Sequence, residues 1–385
     1  MDKLRNGVKK RLNSRSVNIV LIVFVVLSVS VGSIIFWNWG KKMERSLVEQ
    51  MLHREQIVAR AAAQSLESFF VLAGNSLTLL SYRDAVVTPG EQTQEVLNSF
   101  VEEWGNTPLV SIALTDSDGL VVSSANRNSE VGDVGASLAE RDYFKWAKDG
   151  AEKGQVFIGD LTIGKFGSVD GKPMVPVATA VFDEDKFKGV LIAPVLISEL
   201  TRVYLEPLRI SQDTRAHLGE SNGLMLSSFY PEFIGKNIFE FVRSSPTKGG
   251  EEFLSKLRDI VRQEDEGKFE VEAFSVGNVN PTDILVAVSP VHIGGEQQKS
   301  LVPHKLWFLA VVTPQKDALA FFPQFHNSQF YALIAFVFIV LGLVFLAILT
   351  IRVSQREAYY DGFSKGRDTG ILWQDGKGKV KKAKK

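Results

Sequence analysis

Residues 109–124 have the sequence LVSIALTDSDGLVVSS, and this stretch decides the fold that we expect. Residues 109–115 are mostly apolar and include β-branched side chains, which favours an extended strand. The following DSDG, residues 116–119, is a strong turn signal, and residues 120–124 return to an extended pattern. The stretch therefore predicts a β-hairpin that starts a sheet.

The segments after the hairpin alternate between helical and extended patterns. They predict one helical piece and three further strands, with turns at 164–171 and 183–186. In chain order the helix covers 137–148 and the strands cover 155–163, 174–182 and 188–195. Antiparallel strands with helices gathered on one side make an α+β lobe of about 100 residues.

A weaker copy of the same pattern follows. A connecting helix is predicted at 198–208, and a second hairpin turns at Asn222-Gly223 as the first does at Asp118-Gly119. The other predicted pieces are strands at 215–218, 224–227, 267–275, 284–290 and 307–313 and helices at 239–242 and 251–263. We expect a second α+β lobe, although a chance succession of two such units gives the same pattern.

One long helix is predicted before the lobes, over residues 41–81. Its apolar side chains recur in steps of three, four or seven, the spacing of one helix face. They are Leu47, Met51, Val58, Ala62, Leu66, Phe69, Ala73, Leu77 and Leu80. A helix of this length needs partners along it, so we expect both lobes to pack on it.

Two apolar runs without charge, 19–36 and 330–351, flank this region. Each is close to the roughly 20 residues that a membrane-spanning helix requires, and we predict spans at 19–40 and 330–351. The alternative for the first run is a cleavable signal peptide. Its length and its bulky end at Ile34, Ile35 and Phe36 favour a retained anchor.

Basic residues lie beyond both runs, toward the chain ends. Residues 1–18 contain six basic side chains and one acidic one, a net charge of +5. Residues 352–385 contain ten basic and four acidic side chains, a net charge of +6. Because the whole chain is neutral, the part between carries −11. Basic flanks stay cytoplasmic, so both termini are predicted inside and residues 41–329 outside. Trp37 and Trp39 suit an interfacial aromatic belt.

The sequence offers little support for an enzyme. It has no cysteine, and its five histidines form no H-E-x-x-H or close pair, so we expect neither a thiolate nor a histidine metal site. The glycine-rich stretch 164–172 lacks the spacing of a phosphate-binding loop, and Pro173 follows Lys172 where that motif has Ser or Thr. We expect no catalytic residue, no cofactor and no nucleic-acid partner.

The C-terminal segment 352–385 is basic and glycine-containing. Thirty-four residues are too few for a kinase or cyclase domain. Any signal from the outer domain is therefore expected to pass to a separate cytoplasmic or membrane protein. Its lysines would attract anionic lipids. The alternative is that they only set the topology.

Several motifs resemble one known family. They are Arg141-Asp142-Tyr143-Phe144, Gly159-Asp160, Gly171-Lys172-Pro173-Met174-Val175, Phe187-Lys188-Gly189-Val190-Leu191 and, in the second lobe, Asn222-Gly223, Ile234-Gly235-Lys236 and Trp307. Over residues 41–325 the chain resembles the double Cache family, the extracytoplasmic sensor modules of prokaryotic chemoreceptors, sensor kinases and cyclases. The resemblance implies two PAS-like lobes, at 82–197 (membrane-distal) and 213–325 (membrane-proximal), joined by 198–212. It also implies an inner-membrane location and pairing as a homodimer.

The resemblance further implies a ligand pocket in the distal lobe. Arg141 matches the position that clamps a ligand carboxylate. Tyr143 and Trp146 would form walls with polar tips, and Asp160 falls where pocket acids lie. The alternatives are a surface ion pair of Arg141 with Glu140, core packing for Tyr143, and a turn position for Asp160.

Two positions depart from the pattern of amino-acid-binding relatives. Ala136 replaces a tyrosine, and Pro194 replaces the aspartate that accepts the ligand's ammonium group. The expected ligand is therefore a small carboxylate-bearing solute, sensed outside and signalled through the membrane helices. The alternatives are a scaffold protein with a vestigial pocket and, more remotely, a periplasmic hydrolase.

Overall fold

The computed structural model describes residues 14–128, 133–244, 249–275, 281–294, 300–320, 322–369, 373–374 and 380–381. The predictions for the basic residues 1–13 and for much of the lysine-rich end lie outside these residues. Two compact units emerge: one combines the chain ends, up to Arg45 and from Phe321, and the other is Ser46–Ala320.

The unit formed by the two chain ends contains the beginning of one very long helix and the whole of another. Helix α1 runs from Ser14 to Ser81, so the first predicted span and the predicted helix 41–81 are one element. Helix α9 covers Phe322–Thr369. Each has a stretch long and apolar enough to cross a membrane, with none of that stretch buried in the protein. Short strands β13 (Trp373–Gln374) and β14 (Val380–Lys381) pair after α9.

The first lobe contains one sheet and three helices. The helices are α2 (Asp84–Val87), α3 (Glu91–Glu103) and α4 (Asp142–Asp149). The strands are β1 (Ser111–Thr115), β2 (Val121–Asn126), β3 (Val156–Ile158), β4 (Thr162–Ile163), β5 (Pro173–Asp183) and β6 (Lys186–Leu196). Their order in the sheet is β3-β5-β6-β1-β2, antiparallel throughout, with β4 also paired to β5.

A short connection leads into the second lobe. It consists of α5 (Ile197–Leu200), a π-helical turn (Thr201–Leu205) and a 3₁₀ turn (Glu206–Leu208). The second lobe then has β7 (Arg215–Glu220), β8 (Met225–Ser227), α6 (Ile238–Ser244), α7 (Gly250–Gln263), β9 (Gly267–Phe274), β10 (Thr282–Ile293), β11 (Leu301–Val302), β12 (Lys305–Pro314) and α8 (Gln315–Ala318). Its sheet has the order β8-β7-β12-β10-β9.

The two lobes share one core. One face of α1 packs on one face of both sheets, so side chains of this helix, of β5 and β6, and of β10 and β12 form a single buried cluster. The opposite face of the first sheet is covered by α4, and that of the second by α6 and α7. Strands buried on both faces need continuous apolar runs, which explains the runs in β6 and β12.

The lobes are also joined through hydrogen bonds. Strand β11 leaves the second lobe and adds to the first sheet, parallel to β3, with Leu301 opposite Val156. Its Leu301 side chain is buried and lies against Gly74 of α1, where an added Cβ would come within 2.8 Å of it. The first sheet is therefore completed by the second half of the chain.

The α+β class, with two lobes along one helix, is confirmed. Two local predictions are wrong, and one helix was not predicted. Helix α3 was not predicted, although its buried residues have helical spacing: Thr93, Leu97, Phe100 and Val101. The predicted helix 137–148 begins only at Asp142. The predicted strand 155–163 is interrupted between Ile158 and Thr162, where Gly159 lies against Pro176 so closely that an added Cβ would meet that ring at 2.3 Å.

Candidate functional site

A small cavity of about 40 Å³ lies in the first lobe, between the sheet and the chain around the start of α4. Strands β1, β5 and β6 form its floor, and the turns before α4 and between β4 and β5 form its walls. Its lining residues are Ser111, Ala113, Asp133, Leu138, Arg141, Tyr143, Lys165, Phe166, Val169, Met174, Ile192 and Pro194.

Arg141 reaches this cavity from the residue just before α4. Its backbone is extended (φ −76°, ψ 142°), which turns the side chain away from the helix surface. The guanidinium donates two long hydrogen bonds, to Thr162 Oγ1 at 3.4 Å and to the carbonyl of Ile163 at 3.3 Å. Glu140 pairs instead with Lys145 at 3.0 Å. Since long bonds are weak, Arg141 keeps donor capacity for another partner.

Tyr143 lies on the first turn of α4 and is 3% exposed. Burial raises the pKa of its phenol to about 12; the charge of Arg141 opposes this rise and that of Asp133 adds to it. The hydroxyl therefore stays protonated at neutral pH and serves as a neutral donor. Among the described residues no hydrogen-bond partner for it is found, so it is available to the cavity.

Two charged residues that sequence reasoning missed also line the cavity. Asp133 is half-buried; its Oδ1 is shielded from water without a hydrogen-bond donor among the described residues, and burial raises the pKa of its carboxyl. Gly167 approaches it so closely that an added Cβ would lie 2.2 Å from Oδ1. Lys165 is exposed at the opposite turn. Both residues lie in turns, and nothing in their local pattern marks a site.

The other two predicted residues lie elsewhere. Trp146 is on α4 but contacts Phe157 with the two rings tilted and their centroids 5.3 Å apart, and it packs on the core beneath that helix. Asp160 is exposed and forms an ion pair with Lys305 of β12, and so bridges the two lobes. The structure thus brings Arg141 and Tyr143 together at the cavity, without Trp146 or Asp160.

The two departures noted in the sequence are also near this site. Pro194 lines the cavity from β6, directly opposite Pro176 of β5 in the sheet register. Ala136 packs at the edge of the core under α4. The polar side chains that line the cavity are two cations, one carboxyl, one phenol and the hydroxyl of Ser111, which suit a small anion or a zwitterion.

A family model described as "Cache domain", in its double form, matches residues 41–321. This range covers α1 from residue 41 onward and both lobes. The chain belongs to the double Cache family. Cache domains are non-catalytic ligand-binding modules of sensor proteins, and two apolar helices flank the module here. Together these features indicate a membrane protein with an extracellular sensor domain.

Solved structures similar to this chain, at low sequence identity, include ligand-binding domains of chemoreceptors and the extracellular domain of a putative histidine kinase. The ligand-binding domain of the Pseudomonas fluorescens chemoreceptor CtaA, in complex with L-serine, is 15% identical, with a TM-score of 0.47 over 70% of this chain and 99% of that one. The ligand-binding domain of the Pseudomonas aeruginosa PAO1 amino acid chemoreceptor PctB, in complex with L-Arg, is 16% identical, with a TM-score of 0.49 over 73% of this chain and 93% of that one. The extracellular domain of the putative histidine kinase vpHK1S-Z8 is 17% identical, with a TM-score of 0.46 over 71% of this chain and 94% of that one. No curated protein matches the chain.

Proposed function

We propose that this double Cache protein is a membrane-anchored sensor that binds a small carboxylate-bearing solute in the first-lobe cavity. The observation that carries the proposal is Arg141, whose guanidinium lines the cavity beside Tyr143 with only long hydrogen bonds of its own. A guanidinium and a neutral phenol together offer a carboxylate several donors in a partly desolvated place. In this proposal the domain is a receptor and not an enzyme.

Asp133 bears on which carboxylates fit. Pro194 removes the acid expected for an ammonium group, but Asp133 brings a carboxyl to the same cavity from a different turn. Its shielded Oδ1 would gain a hydrogen bond from a ligand ammonium. A small zwitterion such as an α-amino acid therefore fits the charges at least as well as a simple organic acid.

The size of the cavity links binding to signalling. At about 40 Å³ it is far smaller than the roughly 300–1,000 Å³ of typical ligand sites. A solute of several atoms thus requires the turns around Asp133 and Lys165 to move apart. A ligand that favours an opened lobe shifts the population of arrangements, and α1 packs on the same sheet.

In this proposal residues 41–329 lie outside the cytoplasmic membrane of a prokaryote and both termini lie inside. A separate protein, in the cytoplasm or the membrane, receives the signal from the spans at 19–40 and 330–351. The basic segment 352–385 contacts anionic lipids, and two copies pair as a homodimer.

The test is ligand-induced stabilisation of the full chain in lipid nanodiscs, with L-alanine, L-lactate and succinate as probes. A ligand at a hundredfold excess over its Kd should stabilise the domain by about 3 kcal/mol. Arg141→Gln should weaken that ligand by about 30-fold, since a hydrogen bond to a charged group contributes about 2 kcal/mol. Asp133→Asn should weaken L-alanine and spare the two acids.

Lys145→Gln is the matched control, because Lys145 lies on α4, close in sequence to Arg141, and pairs with Glu140 outside the cavity. It should leave the melting shifts unchanged. A wild-type melting temperature that none of the three probes moves, or equal shifts in wild type and Arg141→Gln, would contradict the proposed site.

A further inference from the structure

A much larger cavity, of about 500 Å³, lies in the second lobe, between its sheet and helices α6 and α7. It is on the face of the sheet that points away from α1, and it is separate from the first-lobe site. Its volume falls within the range of small-molecule binding sites. The second lobe therefore contains a space of ligand size that needs no opening.

The floor of this cavity is apolar and rich in rings. Along β12 every second residue lines it, Phe308, Ala310 and Val312, while Leu309 and Val311 point to the core shared with α1. The rings that line the rest of the cavity come from α6, α7, β9 and the chain after β8: Tyr230, Phe233, Phe241, Phe253 and Phe274. Such a floor selects an apolar ring or chain.

One guanidinium stands fixed at the polar end of the cavity. Arg215, the first residue of β7, has a side chain only 18% exposed. Its Nη1 donates to the carbonyls of Gln212 at 2.6 Å and Thr214 at 2.9 Å, and the group lies 4.0 Å from the ring centre of Phe229. Nε and Nη2 have no hydrogen bond within the described part of the chain, so the group is preorganised with donors to spare.

His217 lies two residues along β7, on the same face, and adds a neutral donor. Its Nδ1 is 3.0 Å from Ser228 Oγ, which itself accepts a hydrogen bond from the Tyr230 backbone N–H at 3.1 Å. In the tautomer in which the Ser228 hydroxyl donates to Nδ1, the ring proton is on Nε2 and can be donated to a ligand. Burial, aided by the charge of Arg215, lowers the pKa of His217 to about 4, so the ring is uncharged at neutral pH.

Two acidic side chains at the rim of the cavity do not remove its preference for a negatively charged ligand group. Asp213 lies between two cations, 3.6 Å from Arg215 and 3.7 Å from Lys316. Glu232 is exposed to water, where its charge is strongly screened. The fixed donors of Arg215 and His217 thus determine which charge is favoured at the inner edge of the cavity.

We propose that the second lobe binds a small aromatic carboxylate, with its ring among the phenylalanines and its carboxylate on Arg215 and His217. This is a site additional to the one in the first lobe. The chain therefore senses two solutes of different chemistry, one small and polar and one with an apolar ring.

The experiment is calorimetric titration of the full chain in nanodiscs with three probes that differ only at one end: 3-phenylpropionate, 3-phenylpropan-1-ol and 3-phenylpropylamine. The carboxylate should bind tightest and the amine weakest. Arg215→Gln should lower the affinity for 3-phenylpropionate by about tenfold or more and leave that for the alcohol nearly unchanged. Val312→Phe, which fills the cavity, should abolish binding of all three.

Matched variants separate this site from other causes. Arg202→Gln removes a guanidinium that pairs with Glu199 outside the cavity, and Val122→Phe adds the same ring at an exposed position of β2 in the first lobe. Both should bind as wild type does. Arg141→Gln should also bind the probes normally, so failure of the first-lobe site leaves this result intact. Ala310→Leu repeats the filling test if Val312→Phe does not fold.

Some results would overturn the proposal. One is a titration with millimolar 3-phenylpropionate that gives no saturable heat, and another is tighter binding of the amine than of the carboxylate. The proposal would also fail if Arg215→Gln lowered the affinities for carboxylate and alcohol equally, or if a folded filling variant bound the probes normally. Equal loss of the probes in Arg141→Gln would place binding in the first lobe and refute the second site.

Discussion

Replacing Glu55 with glutamine should remove most of the loss of stability that the folded domain shows as pH rises from 6 to 9. Glu55 lies on α1 and is 0% exposed against the second lobe. Both of its carboxyl oxygens lack a hydrogen bond within the described residues. Burial raises the pKa of this carboxyl from 4.5 to about 8; the Thr313 hydroxyl, which bonds to Thr214 at 2.8 Å, offsets this rise only in part.

The sign follows from proton linkage. The folded state holds the Glu55 proton between pH 4.5 and about 8, whereas the unfolded chain releases it. The stabilising contribution is therefore complete below pH 4.5 and is lost as pH rises through 8, up to about 5 kcal/mol in all and about 3 kcal/mol between pH 6 and 9. Glutamine keeps the shape and cannot ionise, so Glu55→Gln should lack this decline.

The measurement is thermal or denaturant unfolding of the full chain in nanodiscs at several pH values. Glu49→Gln is the matched control, because Glu49 is exposed on the same helix and should keep the wild-type decline. Parallel stability curves for wild type and Glu55→Gln would show that Glu55 is not the group responsible.

Replacing Trp307 with alanine should destabilise the domain by about 4 kcal/mol, the usual effect of removing a buried tryptophan side chain. Trp307 is 1% exposed on β12 and meets Phe70 of α1 edge to face, with centroids 5.2 Å apart. This contact joins the second sheet to the long helix, so its loss should also loosen the shared core.

Trp307→Phe sharpens the test. Trp307 Nε1 is buried without an acceptor in the described part of the protein, and phenylalanine keeps a ring while removing this donor. The gain from removing that donor offsets part of the lost volume, so Trp307→Phe should change the free energy of unfolding by only about 1 kcal/mol. Tyr82→Ala, at an exposed ring, should have almost no effect. Equal losses for the alanine and phenylalanine variants at position 307 would contradict this account.

Local patterns were enough to predict most elements of the two lobes. Hairpin 109–124 formed where its turn chemistry placed it, because Asp116 Oδ1 accepts hydrogen bonds from the backbone N–H groups of Asp118 and Leu120. Helix α3 was not predicted, although its buried residues Leu97, Phe100 and Val101 have helical spacing.

The site was harder to predict than the fold. Arg141 and Tyr143 sit in one local motif, so a resemblance found them together. Asp133 and Lys165 come from turns about thirty residues apart, and only the packing of the whole lobe brings them to one cavity. His217 looked like any lone histidine, because its neighbours Ser228 and Tyr230 become visible only when β7 and β8 pair.

Strand β11 has a practical consequence for protein engineering. A fragment cut after Leu196 would retain the first sheet but leave the outer edge of β3 uncovered, since Leu301 and Val302 normally occupy it. Bare strand edges recruit other chains, so such a fragment should self-associate unless a peptide with the sequence around 300–303 is supplied in trans. The halves of this receptor are thus interlocked pieces that cannot be exchanged singly between relatives.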